Sequence, residues 1–179
     1  EEKSIWYEIF DPEIKKYLYV PSHDMRLVPN EELTLLSPDV PDAEKHLYLD
    51  LNLQLVTAFE GEQLVFSQRC SSGAEGTETP TGEFRTYHKG PSVHMTNQGD
   101  ALENIYNLPG VPWCTFFTNV GNAFHGAYWH NDYGRPRSHG CVNLPSDAAK
   151  FIYRWTSPEV PPDADYVNKP GEGTRVVIV

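Results

Sequence analysis

The stretch AFHGAYWHNDYGRPRSHGCVN, residues 123–143, joins a strand signal to a concentration of reactive side chains. Ala123 to His125 is aromatic and apolar, and with Trp113 to Thr118 it reads as two strands about the turn Asn119-Val120-Gly121-Asn122. Downstream, His125, His130, His139 and Cys141 bring four ligating or titratable groups into 17 residues, with Arg135 and Arg137 among them. A free thiol is a weak nucleophile at neutral pH. It becomes effective when an imidazole takes its proton or when nearby positive charge lowers its pKa. His139 and Cys141 are two residues apart, a spacing that places both on one face of a strand, and His125 on a neighbouring strand could reach the sulfur across the sheet. Gly140 has no Cβ, so a substrate can approach the backbone closely and amide N–H groups are open to an oxyanion.

Outward from this stretch, Ala148, Phe151, Ile152 and Trp155 recur at i, i+3, i+4 and i+7, which predicts one main helix over about residues 146–156. Ser146 is its expected cap, Asp147 suits its first turn and Pro158 stops it. Thr174 to Val179 is expected as a closing buried strand. Upstream, Leu47, Leu49, Leu51, Leu53, Leu55, Thr57 and Phe59 alternate with Tyr48, Asp50, Asn52 and Gln54, predicting one bent strand or two short ones. Glu60-Gly61-Glu62 turns the chain into a strand from Gln63 to Cys70. A small polar loop from Ser71 to Gly82 follows, then a strand from Glu83 to His88. Ile5 to Val20 reads as a hairpin turning at Asp11-Pro12, and Pro21 to Asp42, with Pro21, Pro29, Pro38 and Pro41, as an extended connector. The expectation is a mostly β protein divided at residues 1–42 and 43–179.

Composition agrees. At 179 residues the chain suffices for one domain with a core, alone or with a small accessory piece, and 13 Gly with 15 Pro suit short strands joined by loops rather than a helical bundle. A net charge of −11 leaves no basic footprint for nucleic acid. Apolar runs such as Val176–Val179 fall far short of the ~20 residues of a membrane-spanning helix. No basic-then-apolar leader follows Glu1, so any export signal or anchor is expected outside this sequence. The three cysteines, Cys70, Cys114 and Cys141, are too few for a disulfide framework, and their odd number leaves at least one thiol unpaired.

The string Ser138-His139-Gly140-Cys141-Val142-Asn143, with twelve residues between it and His125, resembles the signature of the YkuD-like L,D-transpeptidases of bacterial cell walls. Ser72-Gly73 and Thr79-Pro80-Thr81-Gly82-Glu83-Phe84 resemble that family's upstream stretch, and His125-Gly126 its strand end, so the likeness runs from about His46 to Val179. It implies a β-sandwich-like fold with the helix near the site. It also implies Cys141 as nucleophile, His125 as general base oriented by the Gly126 carbonyl, and His139 with the amides around Gly140 and Cys141 as oxyanion holders. Ser138 and Asn143 match motif positions and are expected to position the loop beside the substrate.

The implied reaction is attack of Cys141 on the L-centre carbonyl of a peptidoglycan stem tetrapeptide, release of D-Ala, and transfer of the thioester to an amine, with no cofactor. Water as acceptor would make the protein an L,D-carboxypeptidase. Tyr128 and Trp129 either wall the pocket or are ordinary aromatic core. Arg135 and Arg137 either meet stem carboxylates or sit on a solvated loop. Carbapenem inhibitors and an extracytoplasmic location follow from the same resemblance. Two other readings keep the residues and change the role. One is a zinc site of His125, His130, His139 and Cys141, disfavoured because H-x-C lacks a usual zinc spacing. The other is an inert wall-binding module, disfavoured by the intact Cys141, His125 and His139. Cys70 and Cys114 are expected as two separate buried thiols, with a disulfide between them as the alternative.

Overall fold

The computed structural model describes residues 4–11, 14–25, 28–96 and 106–179, and two compact units divide the chain, Glu1–Glu32 and Leu33–Val179. The first unit holds an antiparallel hairpin of β1 (Trp6–Asp11) and β2 (Lys16–Pro21), paired from Trp6 opposite Pro21 to Asp11 opposite Lys16. Pro12 of the expected turn lies outside the described residues. The expected connector is not uniformly extended, since short 3-10 turns form at Ser22–Asp24, Asn30–Glu32 and Asp42–Glu44. The second unit begins ten residues before the boundary expected at 42. Leu33 and Leu36 already pack on its core, and Leu36 N–H donates to the Arg154 carbonyl at 2.7 Å.

In the second unit the leucine alternation becomes β3 (Lys45–Asp50), whose Leu47 and Leu49 are fully buried, followed by β4 (Leu55–Glu60). The alternation does not continue in one phase as expected. The Asp50 carboxylate accepts the N–H groups of Asn52 and Leu53, both at 2.9 Å, and Gln54 takes φ +51°, so residues 51–54 form a turn. Leu53 is left 58% exposed, Gln54 is buried, and the inward positions of β4 become Val56 and Ala58, opposite Leu49 and Leu47. The chain continues through β5 (Gln63–Arg69), β6 (Gly82–Arg85), β7 (His88–Thr96), β8 (Asn107–Phe116), β9 (Ala123–Gly126), β10 (Val142–Leu144), α1 (Ser146–Trp155), β11 (Val167–Asn168) and β12 (Arg175–Ile178). One five-stranded sheet has the order β5-β4-β3-β12-β6 and the other β10-β9-β8-β7-β11. No helix among the described residues is long and apolar enough to cross a membrane.

Between the sheets, Leu47, Leu49 and Val56 of one meet Phe124, Val142 and Leu144 of the other, with Ile152, Tyr153 and Trp155 from α1. Each such side chain contributes about 1.5–3 kcal/mol when fully buried. The apolar stripe expected on α1 is present, but Ser146 does not cap it. Pro145 holds the cap position, where its fixed φ fits and its missing N–H costs nothing, and Ser146 is the first helical residue.

The other end of α1 is held by two lysines that nothing in the sequence marks as interior. Lys45 of β3 donates from Nζ to the carbonyls of Leu36, Ser37 and Trp155, and Lys89 of β7 donates to Thr156 at 2.6 Å while lying 4.8 Å from the Tyr153 ring centroid. The two ammonium groups meet the carbonyls that a helix leaves unpaired at its C-terminus. Burial pushes the Lys89 amine down to about 7, against the opposing pull of Glu159 and Asp42. Between pH 7 and 10.5 the unfolded chain therefore binds a proton that the folded chain has released, and stability rises with pH across that window. The Tm of the wild type should climb relative to that of Lys89→Met as pH is raised from 7 to 10 in thermal unfolding. Parallel curves would show that the amine stays charged in the fold.

Candidate active site

Strands β9 and β10 run parallel, with Val142 opposite Phe124 and Asn143 opposite His125. Gly126 lets β8 and α1 close in on this strand end: a Cβ there would lie 2.8 Å from Pro112 Cγ and 2.9 Å from Ser146 Oγ. His125 is buried, and its Nδ1 is 3.1 Å from the Gly126 carbonyl. A carbonyl only accepts, so Nδ1 carries the proton and the lone pair of the neutral ring is at Nε2.

Cys141 immediately precedes β10, at the end of a turn whose shape is imposed from outside. Gly140 has φ +105°, a conformation that favours glycine, and a Cβ on it would also press on the Asn122 side chain, 2.5 Å from Nδ2. The Ser138 hydroxyl receives Gly140 N–H at 3.0 Å and donates to the Cys141 carbonyl. The loop at 71–79 closes over the turn. The Ser72 carbonyl accepts the N–H groups of Arg137 and Ser138 at 2.8 and 3.0 Å. The Thr77 and Thr79 hydroxyls donate to the carbonyls of Ser138 and Gly140 at 3.0 and 2.9 Å. Gln54 in turn grips Ser72, through Nε2 to Oγ at 2.7 Å and from Ser72 N–H to Oε1 at 2.8 Å. Ser72 and Thr79 fall in the stretch that carries the family resemblance, whereas the buried Gln54 and Thr77 carry no recognisable chemical signal in sequence.

Cys141 and His125 line one cavity of about 320 Å³, together with Trp129, His130, Arg137, His139 and Asn143 among others. A larger cavity of about 530 Å³, near Asp42, Glu159 and Lys169, has no cysteine or histidine in its wall. Burial raises the Cys141 thiol to about 11, partly opposed by the Ala123 backbone, and Sγ lies 3.6 Å from the Gly121 carbonyl. Burial holds the His125 imidazole down to about 4, with the Gly126 carbonyl opposing and His130 adding to the shift. The resting pair is therefore a neutral thiol and a neutral imidazole.

The remaining expected residues divide. The Trp129 ring is 5.7 Å from His125, and His139 is exposed at the cavity edge with its ring 5.7 Å from Tyr106, a neighbour that sequence reading missed. Arg137 lines the cavity and pairs with Asp132 at 3.0 Å. Tyr128 turns away, its hydroxyl donating to Pro109, and exposed Arg135 is not in the wall either. The Gly140 N–H expected to face an oxyanion is already held by Ser138. His125 is tied to Gly126 and His130 to Asn143, and among the described residues no three His, Cys, Asp or Glu side chains converge as a metal site. Cys70 and Cys114 are separate buried thiols.

Residues 44–178 match the family model for YkuD, the L,D-transpeptidase catalytic domain. No curated protein sequence matches the chain. Among solved structures, an L,D-transpeptidase from Mycobacterium smegmatis is 25% identical over 76% of this chain and 58% of its own, with a TM-score of 0.61. L,D-transpeptidase 3 from Mycobacterium tuberculosis, in complex with a faropenem-derived adduct, is 21% identical over 75% of this chain and 60% of its own, with a TM-score of 0.58. The catalytic domain of the Enterococcus faecium L,D-transpeptidase is 22% identical, covered over 96% of its length and 75% of this chain, with a TM-score of 0.59. The chain thus spans less than two thirds of both mycobacterial structures and nearly all of the enterococcal domain.

The three thiols differ in access and acidity. Burial drives Cys70 to about 12 and Cys114 well above the ordinary range, whereas Cys141 is partly exposed and raised less than Cys70. Limited iodoacetamide labelling with peptide mapping should modify Cys141 first, at a rate still climbing with pH above 8. Preferential labelling of Cys70 or Cys114 would place the reactive centre elsewhere.

Proposed function

Because the chain belongs to the YkuD family of L,D-transpeptidase catalytic domains, we propose that it is a peptidoglycan L,D-transpeptidase with Cys141 as nucleophile and His125 as general base. The observation that carries this reading is the placement of Cys141 and His125 in one cavity, with His125 Nδ1 tied back to Gly126 so that Nε2 alone is free. Nε2 takes the thiol proton as Sγ attacks the L-centre carbonyl of a stem tetrapeptide. The tetrahedral intermediate collapses, the nitrogen of the departing D-Ala takes the proton from His125, and the tripeptidyl group remains on sulfur as a thioester. An amine of a second stem then attacks, His125 receives its proton, and sulfur leaves and is reprotonated as the cross-link forms.

Burial disfavours both charged forms, so proton transfer accompanies bond formation and no thiolate accumulates at rest. An imidazole of such low basicity also gives up its proton readily to the leaving amine. With Gly140 N–H engaged by Ser138, the oxyanion role falls to Cys141 N–H, with His139 at the cavity edge. Trp129 and Arg137 flank the substrate, and Ser138 keeps the turn in shape. A peptidoglycan substrate places the protein outside the cytoplasm, and β-lactams of the penem and carbapenem classes would acylate the same sulfur.

Release of D-Ala from a stem tetrapeptide, with a second stem as acceptor, tests this. Cys141→Ala should abolish turnover with the fold intact. His125→Gln should slow acylation by about 10²- to 10⁴-fold, the usual range for losing a general base. Full activity in Cys141→Ala would end the cysteine-enzyme reading, and a loss confined to His139→Gln would move the base to His139.

A further inference from the structure

His130 has no part in the reaction as described, yet its two nitrogens constrain the site. Asp132 N–H donates to His130 Nδ1 at 3.2 Å. On the other side, Asn143 Nδ2 stands 2.9 Å from His130 Nε2, and Asn143 Oδ1 is buried with no partner among the described residues. These contacts together ask both ring nitrogens to accept, whereas a neutral imidazole has one acceptor and one donor. Burial and the Arg137 charge lower the His130 pKa, with Asp132 opposing, which keeps the ring neutral at neutral pH. A backbone N–H can only donate, so Nδ1 is the acceptor and Nε2 bears the proton. A protonated Nε2 requires an oxygen opposite it. A half-turn about the Asn143 Cβ–Cγ bond leaves the shape of the side chain unchanged and supplies that oxygen.

The carboxamide nitrogen then takes the buried position at which an oxygen finds no protein donor among the described residues. Asn143 sits in β10, two residues beyond Cys141. It is the ladder partner of His125 and lines the same cavity. We propose that His130 is a positioning residue: it fixes the Asn143 carboxamide with oxygen toward Nε2–H and its N–H donors toward the cavity, where they receive an oxygen of the acyl-donor peptide. The substrate half of this proposal rests on the transpeptidase reading, and the tautomer half does not.

Long-range ¹H–¹⁵N spectra of the uniformly labelled chain, with the His130 signals identified by their loss in His130→Gln, should show the Nε2–H tautomer; the Nδ1–H tautomer would overturn the proposal. In kinetics, His130→Phe should lower kcat/KM for the stem tetrapeptide about tenfold, equivalent to about 1.4 kcal/mol, through loss of one oriented hydrogen bond, while iodoacetamide alkylation of Cys141 proceeds at the wild-type rate. His130→Gln, whose own amide N–H can serve the Asn143 oxygen, should restore most of the peptide reaction. Unchanged peptide kinetics in His130→Phe, or an equal fall in both reactions, would show that His130 does not act through Asn143. An Nε2–H tautomer in a wild-type protein that never turns over a stem peptide would count against the transpeptidase reading and not against the side-chain arrangement.

Discussion

The pair of backbone hydrogen bonds from Arg137 and Ser138 to the Ser72 carbonyl is the constraint on which the site depends. The turn from Ser138 to Cys141 contains a glycine at φ +105° and makes few hydrogen bonds of its own, so its shape is borrowed from the loop that covers it. That loop is anchored by Gln54, whose position follows from the Asp50 turn between β3 and β4. Order therefore passes from the leucine-rich sheet through buried, mutually satisfied polar groups to a cysteine beside the other sheet. Each link removed would leave a buried partner unsatisfied, at about 1–3 kcal/mol. Gly73 fits the same logic, since a Cβ there would come within 2.1 Å of the Thr77 carbonyl.

Burial has a second consequence, in charge. The imidazole and thiol are both held neutral by the burial that positions them, and the Lys89 amine at the end of α1 is pushed down by the same cause. On the proposed reading this suits a two-step acyl transfer. A thioester survives long enough to meet an amine where water is restricted, and a weakly basic imidazole moves protons in both directions without becoming trapped as a stable ion pair.

Much of this was legible in the sequence where one local pattern suffices. The stripe Ala148, Ile152, Trp155 specifies α1 because helical period and burial coincide, and the turn-rich, aromatic composition specifies a mostly β chain. The grouping of Cys141 with His125 was legible through the spacing of the motif. What escaped depends on side chains acting at a distance or on the backbone. The Asp50 carboxylate reverses the strand phase after Leu49, so a run of leucines at odd positions overstates the strand. Tyr128 is recruited by a carbonyl of β8, and the pairing of His130 with Asn143 joins residues thirteen apart through a loop without period. Lys45 and Lys89 look like surface charges until the helix end they serve is in place.

On the proposed reading, this framework holds the Cys141 sulfur where it can carry a peptide acyl group. Intact-protein mass spectrometry during turnover of a stem tetrapeptide, followed by mapping of the adduct, tests it most directly. A transient mass gain equal to the tetrapeptide less D-alanine is expected, carried on Cys141 as a hydroxylamine-labile thioester. Turnover with no covalent adduct under conditions that trap a thioester, or an adduct on another residue, would contradict it.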